Sequence, residues 1–248
     1  MVVQPGPIGQ LELVEAMAGA TRVLDAGCGS GRLTVALAQA GAAVTGVDSN
    51  PEQLARARAR AGEAAVELEL LEADFNAELP FADAAFDGVA SRLALMAASE
   101  PVATLRELVR VLAPDRRLAS ALWAAPAENP WFAMPREAIG AVLGVERASF
   151  ARAFGRLGDP DEAVDVHRAA GLRDVEARVL VTPVEVSSAA EQWESLVRDN
   201  GHFRRIAASA TGDELAAIVQ ELELRLAGYR QGERLRLART LVLVTGRR

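Results

Sequence analysis

The sequence predicts an α/β protein: a largely parallel sheet with helices on both faces. Three observations carry that expectation. Apolar runs of strand length alternate with helical patterns between residues 21 and 123. The first strand passes directly into a glycine-rich turn, Asp25-Ala26-Gly27-Cys28-Gly29-Ser30-Gly31, and then a helix. The second strand ends in an acid, Asp48.

Taken in order, residues Ile8 to Met17 hold one short helix. Val23-Leu24 lead into the glycine turn, and Leu33 to Ala38 form the helix that follows it. Glycines at alternate positions let the chain turn sharply and let a ligand lie against bare main chain. Ala43 to Val47 read as the second strand. An acid at its end is placed to accept hydrogen bonds from the two hydroxyls of a ribose. Turn and acid together imply a nucleoside-containing cofactor. Val66 to Leu70 alternate and predict a third strand, and Phe86 to Ser91 a fourth. A helix is expected over Pro101 to Leu112, where Val102, Leu105, Leu108, Val109 and Leu112 recur at helical spacing. Leu118 to Trp123 form the fifth strand.

Pro126, Pro130 and Pro135 then break the alternation, and Trp131-Phe132 open a helical insertion reaching about Gly158. Asp159 caps a helix with proline at its first position, which stops at Gly171. Val175 to Val184 are the sixth strand. Ser187 or Ser188 caps a helix through Arg198, another runs from Asp213 to about Gly228, and Leu235 to Thr245 are the last strand. The expected organisation is one domain over 1–248. Its cofactor-binding core is 21–123, and helical insertions at 124–158 and 187–232 form a substrate cap.

Composition bounds the function. A chain of 248 residues, 50% hydrophobic, can bury a full core. It has no apolar run of about 18 residues, so no membrane span is expected. The first residues lack a basic segment followed by an apolar one, so no signal peptide is expected. The single cysteine excludes an internal disulfide and fits a reducing cytoplasm. A net charge of −7 argues against nucleic acid as substrate. All 27 basic residues are arginine. That excludes lysine as a catalytic base and, with abundant alanine, suggests a GC-rich bacterial genome. No metal site is expected.

The glycine spacing discriminates among nucleoside cofactors. A dinucleotide fingerprint needs G-x-G-x-x-G, and Arg32 stands at its third glycine. The acid-x-G-x-G-x-G run from Asp25 to Gly31 instead resembles the first motif of class I S-adenosylmethionine (SAM) methyltransferases. Leu79-Pro80-Phe81 with Phe86-Asp87 resembles the ubiquinone-biosynthesis-like branch of that family (methyltransferase type 11). The resemblance covers roughly Thr21 to Trp131. It implies a Rossmann-like, seven-stranded, mostly parallel sheet with an antiparallel last strand. It also implies SAM as cofactor and S-adenosylhomocysteine as product. Carried over residue by residue, it assigns the methionine part to Asp25, Gly27, Cys28, Gly29 and Gly31, and the ribose to Asp48 with Ser49. Adenine falls to Asp74 with Phe75, and Ser91 lies at the mouth of the sheet. Relatives usually begin with a longer helical segment over the cofactor carboxylate; here that contact is unassigned. Leu112-Ala113-Pro114-Asp115-Arg116 departs from the usual Leu-x-Pro-Gly-Gly and puts that turn's geometry in question.

The implied reaction is methyl transfer to a small, partly apolar acceptor, at oxygen first, then nitrogen or carbon. His202, in a loop between two expected helices, is the candidate general base. His167, inside a helix, reads as a packing residue. Arg92 is a candidate contact for an anionic acceptor. Met96, Trp131 and Phe132 are candidate walls of its pocket, against the plainer reading of core packing. Cys28 reads as a small residue that fits the turn, and Asp83 and Asp87 as structural. A homodimer is possible, and no nucleic acid is expected. Two other classes compete: a methyltransferase-like binding or regulatory protein without transfer activity, and, less well supported, a nucleotide-dependent oxidoreductase.

Overall fold

The computed structural model describes residues 8–144 and 155–248. Its centre is an eight-stranded sheet. The strands are β1 (Arg22–Ala26), β2 (Ala43–Asp48), β3 (Glu69–Glu72), β4 (Phe86–Arg92), β5 (Leu112–Trp123), β6 (Arg173–Val186), the two-residue β7 (Arg230–Gln231) and β8 (Arg234–Arg247). The order is β3-β2-β1-β4-β5-β8-β6, with β7 paired to β8. β1 to β5 are parallel to their neighbours, and β8 runs antiparallel to β5. The sequence expectation of seven strands with an antiparallel last one thus holds, with β7 added as a short hairpin partner.

β1 shows why the middle of the sheet is read easily from sequence. Its residues Val23 to Ala26 are all buried, the unbroken apolar pattern of a strand covered on both faces. The helices around it are α1 (Gln10–Ala16), α2 (Arg32–Gln39), α3 (Pro51–Ala64), α4 (Pro101–Val111) and α6 (Pro160–Ala169). α1, α2 and α3 pack in series, and α4 packs on α6. Their starts follow local chemistry. Asn50 accepts from the N–H groups of Glu52 and Gln53 ahead of Pro51, and Asp159 accepts from Asp161 and Glu162 ahead of Pro160. A core of Leu13, Met17, Val23, Leu33, Leu37, Ala119, Leu241 and Leu243 gathers α1, α2 and the strands.

The chain forms two compact units. The first is Met1–Ala124, Gly155–Leu180 and Leu241–Arg248; the second is Ala125–Phe154 and Val181–Thr240. The second unit holds α5 (Pro130–Leu143), α7 (Ala189–Asp199), α8 (Gly201–Ser209) and α9 (Gly212–Leu226). It has its own polar and aromatic ties. Gln192 Nε2 donates to the Trp131 carbonyl at 2.8 Å, Asn129 Oδ1 accepts from Thr240 N–H at 2.6 Å, and Trp193 meets Phe203 edge-to-face. A capping box between Thr211 and Glu214 starts α9.

Three sequence expectations need correction. β3 lies at 69–72 rather than 66–70, because Val66 still closes the end of α3 by donating to Ala61 O. β5 begins at Leu112 rather than Leu118, so the Pro114-Asp115-Arg116 stretch lies within the strand. Asp115 takes the positive φ of 60° there that glycine usually supplies, a conformation aspartate tolerates better than most residues. His202 is no loop residue: Asn200 Oδ1 caps it, and it sits in the first turn of α8. Part of the expected insertion helix, residues 145–154, lies outside the described residues.

Candidate active site

The parallel register places the carboxyl ends of β1, β2 and β4 side by side: Asp25 opposite Gly46 and Ala90, and Ala26 opposite Val47. Strand order reverses between β1 and β4, and in open α/β sheets ligands bind beside the strand ends at such a point. A crevice of about 410 Å³ lies there, within the ~300–1,000 Å³ of small-molecule sites. Asp25, Gly27, Cys28, Gly29, Ser30, Asp48, Phe75, Arg92, Leu93 and Ala94 are among the residues lining it.

The glycine turn is shaped by close approach. Gly27 has φ +72°, and a Cβ built there would stand 2.2 Å from Ala94 Cβ and 3.2 Å from the Phe75 ring. Gly31 has φ +74°, and its Cβ would meet Ala57 at 2.8 Å. Only glycine lets α2 start here against both neighbours. The N–H groups of Gly27 and Cys28 both donate to Val47 O at 2.9 Å, tying the turn to β2.

Asp25 is 1% exposed. Its Oδ2 accepts from Thr34 Oγ1 at 2.7 Å, whereas Oδ1 is buried with no hydrogen-bond partner among the described residues. Burial pushes its carboxyl up to about 6, against the pull of the Thr34 hydroxyl and the Arg92 charge. A buried carboxylate oxygen without a donor fits a cationic ligand group. Asp48 accepts from Gly29 N–H at 2.8 Å and from Asn50 N–H at 2.9 Å. It therefore holds turn, strand and α3 together at the crevice wall. Burial, followed by the Asp25 and Asp48 charges, raises the Cys28 thiol, which agrees with Cys28 as a packing residue rather than a nucleophile.

Of the expected cofactor residues, Asp25, Gly27, Cys28, Gly29, Asp48 and Phe75 meet in the crevice. Gly31 caps α2 beside them. Asp74 is exposed and spends Oδ1 on the Asn76 N–H and side-chain amide. It is not part of the lining, and neither are Ser49 and Ser91. Ser49 is exposed, and the Ser91 hydroxyl is buried on the Ala26 carbonyl at 2.9 Å, where it ties β4 to β1. The three expected carboxylates are thus two in the crevice wall and one on a neighbouring turn. Arg32 and Leu33 line the crevice without having been expected, as do Ser30 of the turn and Leu93, Ala94 and Ala97 after Ser91, none of which was singled out. Thr34, which anchors Asp25, was missed as well, although a hydroxyl one helical turn into α2 was a visible signal.

Among the expected acceptor residues, Arg92 lines the crevice. Met96 is buried in a one-turn 3-10 helix over Leu95–Ala97. Trp131 and Phe132 are buried within α5 of the second unit. His202 belongs to that unit too; burial and the charges of Arg205 and Arg136 lower its basicity. His167 is fully buried: Nδ1–H donates to the Ala163 carbonyl at 2.7 Å, so Nε2 is the acceptor for the Ser120 hydroxyl at 2.9 Å. Asp87 accepts from Thr21 N–H, Thr21 Oγ1 and Arg22 N–H. Asp83 and Glu107 grip Arg110, whose guanidinium also donates to the carbonyls of Leu79 and Phe81. The stretch from Leu79 to Asp87 is therefore held by α4 at one end and by the start of β1 at the other, as structural residues. No helix of the described residues is long and apolar enough to cross a membrane.

Comparison with known proteins agrees with this geometry. The family described as "Methyltransferase domain" (type 11) matches residues 24–120. An uncharacterised Mycobacterium tuberculosis protein is 39% identical over 118 residues, 47% of this chain and 43% of its own length. The demethylmenaquinone methyltransferase of Thermus thermophilus is 42% identical over 99 residues, 39% of this chain and 44% of that protein. The chain thus matches less than half the length of these curated relatives. The crystal structure of the YcgJ protein from Bacillus subtilis superposes with a TM-score of 0.65 at 19% identity, covering 96% of this chain and 97% of that one, a likeness of fold. Residues 24–120 are thus similar to a methyltransferase domain of type 11, and the wider likeness is one of fold.

Proposed function

We propose that the protein transfers the methyl group of SAM to a small, partly apolar acceptor, at oxygen first, then nitrogen or carbon. The observation that carries this reading is the Asp25 Oδ1 atom, buried at the crevice with no donor among the described residues. The ammonium of an amino-acid ligand supplies what it lacks. Asp48 takes the ribose hydroxyls with the lone pairs not spent on Gly29 and Asn50. Adenine lies against Phe75, with the second carboxylate oxygen of Asp74 for its amino group. The bare main chain at Gly27 and Gly29 leaves room for the ligand to lie close.

Bound SAM supplies a methyl carbon already activated by positive sulfur. The chain's part is orientation: nucleophile, carbon and sulfur must lie in line, and positioning of this kind contributes much of the acceleration. Leu93, Ala94 and Ala97 give the crevice an apolar end, which supports a partly apolar acceptor. Where the acceptor must lose a proton, His202 is the proposed base. Burial and the flanking arginines favour its neutral, proton-accepting form.

Isothermal titration with SAM and with S-adenosylhomocysteine tests the reading. Binding of both, with no binding of nicotinamide dinucleotides, is expected. Failure of both at high micromolar concentration rejects it. Once an acceptor is found, His202→Ala should lower kcat by about 100-fold or more, and an unchanged kcat removes the base from the scheme.

A further inference from the structure

We infer that the outer edge of β6 is where two copies of this chain pair: residues 175–179 of each run antiparallel about a two-fold axis at Ala177, and the two sheets join. The inference stands apart from the SAM reading, since none of these residues lines the crevice.

β6 closes one side of the sheet. It neighbours β8, and no strand of the described residues lies beyond it. The opposite edge, β3, has four residues, and so short an edge strand offers little to pair with. β6 has fourteen, and an edge of that length presents a row of backbone N–H and C=O groups for a further strand. Val179 and Val181, on one face of it, are 49% and 62% exposed. Such β-branched side chains are covered when a strand is added alongside. Pro183, which blocks pairing, stands beyond this stretch, and Asp174, with φ +50°, marks where the regular strand begins.

The charges decide which strand fits. Arg173 pairs with Asp115, and Glu185 with Arg234 and Arg236. Glu176 and Arg178, both exposed, make no ion pair among the described residues. They share the face opposite Val179, because side chains alternate along a strand. With the axis at Ala177, Glu176 of each copy lies directly across from Arg178 of the other, which gives two opposite-charge pairs at once. On the other face Val175 meets Val179 twice, and the residue that meets itself is the small, neutral Ala177. An axis at Glu176 or Arg178 sets like charges face to face. An axis at Val179 puts Glu176 across from Thr182 and Arg178 across from Leu180, with no ion pair. Charged side chains on an edge commonly keep copies apart; here they alternate in sign and select one register. A pairing this short sits at the small end of interfaces, so the dimer is concentration-dependent.

Sedimentation velocity of the full chain, from low to high micromolar concentration, tests the inference. Wild type should pass from monomer to dimer. Arg178→Glu turns both charge pairs into like-charge contacts and should raise the dimer Kd by about 10-fold or more. The exchange of the two charges, Glu176→Arg with Arg178→Glu, should restore the wild-type Kd, which a merely misfolded variant would not do. Oxidation reads the register. Ala177→Cys should yield a disulfide-linked dimer, because directly opposed residues lie about 4.5–5.5 Å apart at Cα, within disulfide reach. Val179→Cys should not, because its two copies are offset along the strands by about 13 Å. The native Cys28 is buried, so wild type is the control for both. A wild type that stays monomeric throughout overturns the inference. So does a dimer indifferent to Arg178→Glu, or one that cross-links through Val179→Cys and not through Ala177→Cys, since the copies then meet elsewhere or in another register.

Discussion

Asp25 keeps one oxygen on the Thr34 hydroxyl and buries the other at the crevice with no donor among the described residues. A carboxylate in that setting is a burden on the ligand-free protein, because burial disfavours its charged form. The folded chain holds the Asp25 proton up to about 6, against an ordinary value of 3.8. Between those values the folded state binds more protons than the unfolded one, so this residue's contribution to stability falls as pH rises from about 4 to about 6. Asp25→Asn should therefore stabilise the free protein by about 1–3 kcal/mol at neutral pH, seen as a higher Tm, while weakening SAM binding. An unchanged Tm together with unchanged affinity would contradict the role given to the buried oxygen. SAM affinity in wild type should drop as the carboxyl protonates below about pH 6, a dependence that Asp25→Asn should flatten. The sequence pointed to Asp25 by its glycine neighbours, and the residue lines the crevice. It could not show that Thr34 takes one oxygen and that nothing in the described chain takes the other, since that depends on how α2 returns over β1.

At the scale of elements, the glycine turn and the α6–β5 contact show how the site is held up. Gly27→Ala would drive a methyl group into Ala94 at a backbone angle that penalises any side chain. Loss of SAM binding and a stability cost of about 2 kcal/mol or more are expected, both readable from a titration and a denaturant curve. His167 ties α6 to Ser120 of β5 in the fully buried interior. Its imidazole titrates at about 4 rather than 6.5, chiefly through burial. The unfolded chain then binds the extra proton, so its stability contribution is lost as pH falls from about 6.5 to about 4, the opposite sense to Asp25. His167→Ala should cost about 2–4 kcal/mol and leave SAM affinity unchanged; a large affinity loss would mean that α6 acts on the crevice. Capped helices such as those begun by Asp159 and Ser188 were legible because a cap is a local event, whereas α3, begun by Asn50, was not expected. The start of β5 was not, because the strand continues through a proline and a left-handed aspartate once β4 and β8 pair with it.

For the whole molecule, a site at the strand ends couples ligand to fold. The crevice is lined from β1, β2, β4 and the connections that follow them, so a ligand there binds the folded chain alone. S-adenosylhomocysteine at one hundred times its Kd should raise stability by about 2.7 kcal/mol. For a chain of this length that is about 5–10 °C in Tm. Absence of any shift, with binding seen by titration, would mean that the unfolded chain binds equally well, against the site described. The second unit, with α5 and α7 to α9, has its own buried contacts around Trp131, Gln192, Trp193 and Phe203. Trp131 and Phe132 were read in the sequence as acceptor walls or core, and both are buried within the unit.

By itself the sequence determined the seven main strands and most of the helices between them, though not α3, α8 or β7, together with the glycine turn and the acid after the second strand. These are short-range patterns: apolar period, cap and turn residues act within a few positions of themselves. Tertiary structure alone decided which side chains face the crevice. Asp74 turned to Asn76, Ser91 to Ala26, and Arg92 toward the site, because each choice depends on partners 65 residues or more away or on a competing local bond. The physical reason is that a hydrogen-bonding group takes the best partner the folded chain offers, and that partner is unknown until distant strands are side by side.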